Sequence, residues 1–321
     1  MITFKIAGKE IKNRYVLAPL AGYTSFAMRE MSRNYGAGLV YTEMTSSSAL
    51  VYSNEKTFKM IPQVGEDSVV LQLFGGDKET IIKSIPIAEA NGEYDFLDFN
   101  CGCPVKKVLK QNAGSAWLQR EEELYDLARE MVKVSVKPVI FKIRLGFTNE
   151  NRNYLQVAKL LENAGVQAIT VHGRTKAEGF SGEVDYKAIA EIKNEIKIPV
   201  IANGNISLEN IDQVMEITKA DAYMIGRGSI GNPKIFEDLI NHELGLPIRI
   251  ATKENLIDDA TLHLNLLIEE FGEDTACKLM RGFISLYLKG IKNIKPYKME
   301  LVRASSKKEY IDILEKLKKD N

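Results

Sequence analysis

The chain has 321 residues, 43 basic and 43 acidic side chains, and 45% hydrophobic residues, the composition of a soluble globular protein. That length is large for one ordinary core and implies either one large barrel with an appendage or two domains. Balanced charge excludes a chain that coats polyanions uniformly, and no apolar run approaches the roughly 20 residues needed to span a bilayer.

Three cysteines, an odd number, follow a start (Met1-Ile2-Thr3-Phe4-Lys5) without an apolar signal segment. Free thiols in a reducing cytoplasm are the expectation. Thr3 to Ile11 alternates around Ala7-Gly8-Lys9 as a short hairpin that plugs one end of a larger body.

A rhythm of short apolar runs and helix-compatible segments follows. The runs are Tyr15–Ala18, Leu39–Glu43, Val69–Leu73, Phe96–Phe99, Val139–Ile143, Ala168–His172, Pro199–Ala202 and Ala222–Ile225. Between them lie helical segments such as Lys78–Ala90, Glu121–Val134, Arg152–Ala164, Tyr186–Asn194 and Leu208–Thr218, with Gly92 and Gly165 placed as helix stops. Eight strands with crossover-sized connections are the count of an α/β (β/α)8 TIM barrel, with a doubly wound open sheet as the alternative. From about Glu237 the strand rhythm stops. Lys253–Phe271, Thr275–Leu288 and Glu309–Lys318 read as helices, so a barrel over residues 1–244 and a small all-helical domain over 245–321 are expected.

The unusual residues fall where the runs end, which in a barrel is one shared mouth. Phe96-Leu97-Asp98-Phe99 is an apolar run that stops in Asn100-Cys101-Gly102-Cys103-Pro104. Gly102 permits a turn or close approach and Pro104 has no N–H to continue a ladder, so Cys103 sits on the loop leaving the strand. A thiol there acts either as a nucleophile, activated by His172, or as a general acid that keeps its proton. Cys101 and Cys277 read as buried and inert. Lys142 and Arg144 share one face of the fifth run, where two cations need an anionic partner; that partner is a ligand, or an acid such as Glu43.

Asn203-Gly204-Asn205 and Gly226-Arg227-Gly228 follow the last two runs as paired glycine turns suited to phosphate, with Arg227 adding a charge-assisted contact. Cys101, Cys103 and His172 supply three metal ligands at most, without the spacing that closes a zinc shell, so no metal is expected. Lys278 to Lys308 holds nine cations against the single acid Glu300, with Phe283, Tyr287 and Tyr297 interleaved. That run reads as a phosphate-backbone surface for nucleic acid.

Together the motifs resemble the tRNA-dihydrouridine synthases, most closely their bacterial B-type branch. The resemblance is carried by Ala18-Pro19-Leu20-Ala21-Gly22-Tyr23-Thr24, Gln72-Leu73-Phe74-Gly75, Asn100–Pro104 with Gly114-Ser115-Ala116, Lys142-Ile143-Arg144, His172-Gly173-Arg174-Thr175, Asn203-Gly204-Asn205 and Gly226-Arg227-Gly228. It implies tightly bound FMN, NADPH or NADH as reductant, and reduction of uridine in the tRNA D-loop to 5,6-dihydrouridine. Hydride then passes from flavin N5 to uracil C6, and Cys103 gives a proton to C5. Pro19, Leu20, Ala21, Gln72, Lys142 and His172 would line the flavin, while Asn203, Gly204, Asn205, Gly226 and Arg227 would hold its phosphate end. Asn100, Arg144 and Arg174 would meet the substrate uridine, and Lys289, Lys292 and Lys295 the tRNA backbone. No membrane and no obligate protein partner is implied.

Three positions depart from the family pattern: Leu20 where methionine is usual, Asn205 for aspartate, and Arg281-Gly282-Phe283 for Arg-Lys-His. Two other functions compete: a flavin oxidoreductase of free pyrimidines, which has no use for the basic run, and a non-catalytic RNA-binding protein, against which Cys103, Lys142 and Arg227 count.

Overall fold

Strands β1 (Phe4–Ile6) and β2 (Lys9–Ile11) form the expected antiparallel hairpin, turning through Ala7 and Gly8 at φ 50° and 80°. Two positive φ values in a two-residue loop match the twist of the flanking strands. In the computed structural model, which describes residues 2–320, Phe4, Ile6 and Ile11 close the bottom of a larger apolar core.

That core fills a closed barrel of β3 (Tyr15–Leu17), β4 (Leu39–Ser46), β5 (Val69–Phe74), β6 (Phe96–Cys101), β7 (Val139–Arg144), β8 (Ile169–His172), β9 (Val200–Asn203) and β10 (Ala222–Ile225). All neighbours pair parallel, and β10 closes onto β3 through Tyr223↔Tyr15 to Ile225↔Leu17. The open-sheet alternative is thereby excluded. Every residue of β6 and β7 is buried, as strands covered on both faces require.

The two-residue period of a strand sorts the interior into layers. Val70, Phe96, Ile140 and Ala168 belong to the apolar core. Two residues further along the same strands stand Gln72, Asp98, Lys142 and Thr170, and two further again Asn100, Arg144 and His172, all buried. The interior thus changes from hydrocarbon to polar groups toward the carboxyl ends of the strands.

Helices Lys78–Ala90 and Glu121–Val134 have the predicted bounds, while the next three begin two or three residues late or end within one residue of expectation, at Tyr154–Asn163, Tyr186–Glu195 and Ile211–Thr218. Asp77 starts the first by accepting from Thr80 N. Gly165, at φ 92°, follows the end of Tyr154–Asn163 and stops it. Gly92 serves otherwise: a Cβ there would lie 2.3 Å from Pro62 O, so close approach, not helix termination, calls for glycine.

The chain divides into a barrel unit, through Thr24 and over Ala37–Gly226, and a helical unit, Ser25–Gly36 with the chain from Arg227. The helical unit holds Phe26–Asn34, Ile235–Glu243, Lys253–Phe271, Glu273–Tyr287, Lys295–Arg303 and Lys307–Lys319. Ser25 provides no side-chain cap for the first of these; the Glu270 carboxylate accepts instead from Phe26 N at 3.0 Å and Ala27 N at 2.9 Å, an acid at the positive end of a helix. Lys295–Arg303, which the sequence pattern does not announce, starts with Pro296 in its first turn, where a missing N–H costs nothing.

Inside this unit His263 packs edge-on to Phe283 and meets the Tyr287 hydroxyl through Nδ1 at 2.9 Å. Burial lowers its imidazolium from 6.5 to about 3. The unfolded chain therefore binds a proton below pH 6.5 that the folded chain refuses. Stability present above pH 6.5 is expected to fall as pH drops toward 3, by at most about 1.4 kcal/mol per pH unit from this group. Urea titrations at pH 7 and 5 check this: His263→Gln should flatten the pH dependence relative to wild type.

Candidate active site at the barrel mouth

Asn100 ends the apolar part of β6 and organises the loop behind it. Its Oδ1 accepts from Gly102 N at 3.1 Å and Cys103 N at 2.9 Å, and its Nδ2 donates to Gln72 Oε1 at 2.8 Å. Gln72 Nε2 in turn donates to Asp98 Oδ2 at 2.7 Å. Ser115 N donates to Cys103 O at 3.1 Å from the other side, and Gly114, at φ 62°, leaves room for that approach, since a Cβ there would lie 2.7 Å from Cys103 O.

Burial pushes the Cys103 thiol above its ordinary value, against the lowering effects of a hydrogen bond from the Val105 backbone and of Arg144 and Lys142. The thiol carries its proton at neutral pH. Of the two roles left open by the sequence, that state suits an acid better than a nucleophile. Cys101 and Cys277 are buried, and all three cysteines are free thiols.

Lys142 lies across from Asn100 in the β6–β7 register and donates from Nζ to Asn203 Oδ1 at 3.2 Å. Burial and then Arg144 lower its ammonium to about 8, while Asp98 acts in the opposite direction. A ligand, or an acid such as Glu43, was the expected partner for these cations. Glu43 accepts from Gly22 N at 2.5 Å, and the acid that bears on Lys142 is Asp98.

Arg144 directs Nε to Gly102 O at 2.7 Å and Nη1 to Thr175 O and Gly179 O at 2.9 and 2.8 Å, joining the Cys103 loop to the loop after β8. Phe180 of that second loop is 56% exposed, with its ring 5.4 Å from the Arg144 guanidinium and 6.3 Å from His172. Arg174 is buried and donates to Gly182 O at 2.6 Å, bracing the same loop.

The remaining strand ends complete the mouth. Ala18 N donates to Ile225 O at 2.9 Å, so Pro19, Leu20 and Ala21 leave β3 beside Gly226, with Leu20 packed on the barrel core. His172 pairs in register with Asn203, whose Nδ2 donates to Met224 O at 2.9 Å. Gly204 and Asn205 follow at φ 130° and 45°, and Tyr186 Oη donates to Gly204 O at 2.7 Å. Gly226 closes the barrel unit, and Arg227 is exposed as the next residue in the chain.

In the helical unit Lys289, Lys292 and Lys295 are exposed. Lys289 and Lys292 border a cleft of about 650 Å³ with Lys253, Tyr297 and Asp320. Of the interleaved aromatics, Tyr297 lines that cleft with 7% of its surface exposed, whereas Phe283 and Tyr287 are 2% exposed and belong to the core, with no face for stacking bases. Among the described residues no group of three or more His, Cys, Asp or Glu gathers in metal-binding arrangement, and no helix is long and apolar enough to cross a membrane.

Sequence reasoning passed over Asp98 and Phe180. An acid inside an otherwise apolar buried run was the signal for the first, and an aromatic between two glycines in a strand-end loop for the second.

A closed barrel with its polar layer at the carboxyl ends of eight parallel strands defines the architecture of many ligand-binding enzymes. The old yellow enzyme from Trypanosoma cruzi shares it, with TM-score 0.54 at 12% identity over 79% of this chain and 94% of that one. So does a morphinone reductase in complex with tetrahydroNAD, with TM-score 0.55 at 13% identity over 79% and 92%. The chain itself belongs to the dihydrouridine synthase family of flavin-dependent oxidoreductases: the family model described as Dihydrouridine synthase matches residues 16–321. It is 37% identical to tRNA-dihydrouridine synthase B of Pasteurella multocida, over 97% of this chain and 94% of that protein. The protein of the same name in Escherichia coli is 35% identical over 88% and 89%.

Proposed function

We propose that the protein reduces uridine in the D-loop of tRNA to 5,6-dihydrouridine, with FMN as resident cofactor and NADPH or NADH as reductant. The observation that carries this reading is the Cys103 thiol, its N–H held by Asn100 Oδ1 and its carbonyl by Ser115 N, with the buried Lys142 on the neighbouring strand at the mouth of the barrel. Reduction of a uracil 5,6 double bond needs a hydride at one carbon and a proton at the other.

The residues present fit a flavin mononucleotide. Gln72, Lys142, His172 and Asn203 offer amide, ammonium and imidazole donors from neighbouring strands to a planar heterocycle, and Pro19, Leu20 and Ala21 offer it an apolar edge. Lys142, a buried ammonium hydrogen-bonded to Asn203 and near Arg144, is suited to a ring system that gains negative charge on reduction. Gly204 and Asn205 have positive φ, a backbone form in which successive N–H groups can cradle a phosphate, and Gly226 and Arg227 follow the adjacent strand. When bound, FMN supplies the hydride.

The protein's own part is to position and to protonate. Asn100 has one N–H beyond that given to Gln72, available to a uracil carbonyl. Cys103 gives its proton to uracil C5, and Arg144 keeps its loop in place. A base taken out of the tRNA stack costs a few kcal/mol, which phosphate contacts by Lys289, Lys292 and Lys295 offset. Catalysis is thus the assigned role of the barrel unit and tRNA binding that of the helical unit, whose part from residue 245 onward carries the basic run, in the cytoplasm where tRNA resides.

Purified protein incubated with FMN, NADPH and tRNA lacking dihydrouridine should form it at defined D-loop positions. The triple change of Lys289, Lys292 and Lys295 to Ala should leave flavin bound and weaken tRNA binding. The slope of log affinity against log salt should fall by about 0.9 for each phosphate that these lysines neutralise. Formation on free uridine but not on tRNA would favour the free-pyrimidine enzyme.

A further inference from the structure

The polar layer below the mouth contains one acid, the Asp98 carboxyl, to which the reaction assigns no part. It lies inside the barrel, fully buried, two residues before Asn100 on β6. The hydrogen bonds above it form a directed chain. Gln72 Nε2 to Asp98 Oδ2 fixes which end of the Gln72 amide faces upward; Gln72 Oε1 then accepts from Asn100 Nδ2, and Asn100 Oδ1 is left to accept from Gly102 N and Cys103 N. An amide group looks nearly the same either way round, but its two ends have opposite hydrogen-bonding character. If Gln72 turned over, its NH2 would face the NH2 of Asn100, and an Asn100 that turned in response would confront the two loop N–H groups with a third donor.

We propose that Asp98 is a positioning residue, an acceptor in the barrel interior that sets the polarity of the Gln72 and Asn100 amides and through them the placement of the Cys103 loop. The inference rests on Cys103 as proton donor. It adds that the donor's position is decided at the far end of this chain of bonds, by a side chain that touches neither flavin nor base. Displacement of a reacting group by about 1 Å can cost on the order of 100-fold in rate, so a free Asn100 amide has a measurable consequence.

Asp98 also bears electrostatically on Lys142, Tyr41 and Cys101. A role through charge on Lys142 is therefore the rival account, and substitutions separate the two. Asp98→Asn keeps an acceptor for Gln72 without the charge. Asp98→Leu removes both, and Asp98→Val does the same with less bulk should the leucine variant not accumulate.

The measurements are the two half-reactions of the flavin-loaded protein, reduction by NADPH and reoxidation by tRNA, together with the rate at which iodoacetamide alkylates Cys103 in the flavin-free protein, read by peptide mass. In Asp98→Leu or Asp98→Val, reoxidation by tRNA should slow on the order of 10- to 100-fold. Reduction by NADPH, which Gln72 also serves through the flavin, should slow by no more than about a tenth as much, and Cys103 should alkylate at least about threefold faster as its loop is released. Asp98→Asn should stay close to wild type in all three. Reoxidation unchanged in the leucine and valine variants would overturn the inference, and so would an asparagine variant as slow as they are, because charge would then be the operative property. Cys103→Ala run in parallel keeps the two readings apart: full activity there sinks the proton-donor role itself, whereas its loss with unaffected Asp98 variants sinks only the positioning role.

Discussion

Cys103→Ala is expected to give a folded protein that binds flavin and is reduced by NADPH, yet forms dihydrouridine on the order of 100- to 10,000-fold more slowly, the usual contribution of a positioned general acid. The loop is held by main-chain atoms of residues 102, 103 and 115, with Asn100 and Arg144 as side-chain partners, so removing one sulfur leaves those bonds in place. The thiol is raised by burial above its ordinary value and keeps its proton through the neutral range. As pH rises toward the thiol's own titration, proton donation should fail in wild type while the residual rate of the alanine variant shows no such limb. Stopped-flow reoxidation from about pH 7 to about pH 10.5 reads both, a window that runs well past the ordinary thiol range because burial raises this thiol. An alanine variant as fast as wild type would remove Cys103 from the chemistry.

Lys142→Met is expected to abolish uridine reduction and, in the flavin-free protein, to raise stability. Burial lowers this ammonium from 10.5 to about 8. Below pH 8 both folded and unfolded chains hold the proton, and the cost of burying the charge is present in full. Between 8 and 10.5 the unfolded chain binds a proton that the folded chain has lost, so wild-type stability should rise with pH, by at most about 3 kcal/mol. Methionine fills the same space without charge and should remove that rise. Asp98, likewise pushed by burial toward its neutral form, keeps Oδ2 as the acceptor for Gln72 in either protonation state and needs no cation to remain where it is. Chemical denaturation of flavin-free protein at pH 7, 8.5 and 10 tests the sign. A wild type that loses stability over this range would mean that Lys142 is paired, not penalised. Flavin affinity should fall in the same variant, because the ammonium is a fixed positive charge deep in the mouth.

Other features show how local and tertiary information divide. The helical region's basic run and its aromatics are adjacent in sequence, yet Met280, Phe283, Ile284 and Tyr287 fall on one buried stripe while Lys289, Lys292 and Lys295 are exposed. The helical period collects Phe283 and Tyr287 on the buried face of Glu273–Tyr287, whereas Lys289 and Lys292 lie in the turns that follow it and Lys295 opens the next helix. That same spacing, Phe283 with Tyr287, was the sign of core.

What the sequence by itself determined is the set of eight strands, their order, and the fact that chemistry stands at their ends. Those follow from short-range physics: apolar runs of strand length, a two-residue period, and residues such as Gly102 and Pro104 that stop a strand where they stand. What only the tertiary structure decided is closure of β10 onto β3, the membership of Phe26–Asn34 in the helical unit, and the partners inside the barrel. Asp98 and Gln72 are 26 residues apart, and Lys142 and Asn203 are 61 apart. Such pairs follow from the curvature and register of a closed sheet, which no local pattern encodes. Burial then fixes how strongly they act on one another, because a charge or an amide removed from water must take its partners from whatever the barrel brings within reach.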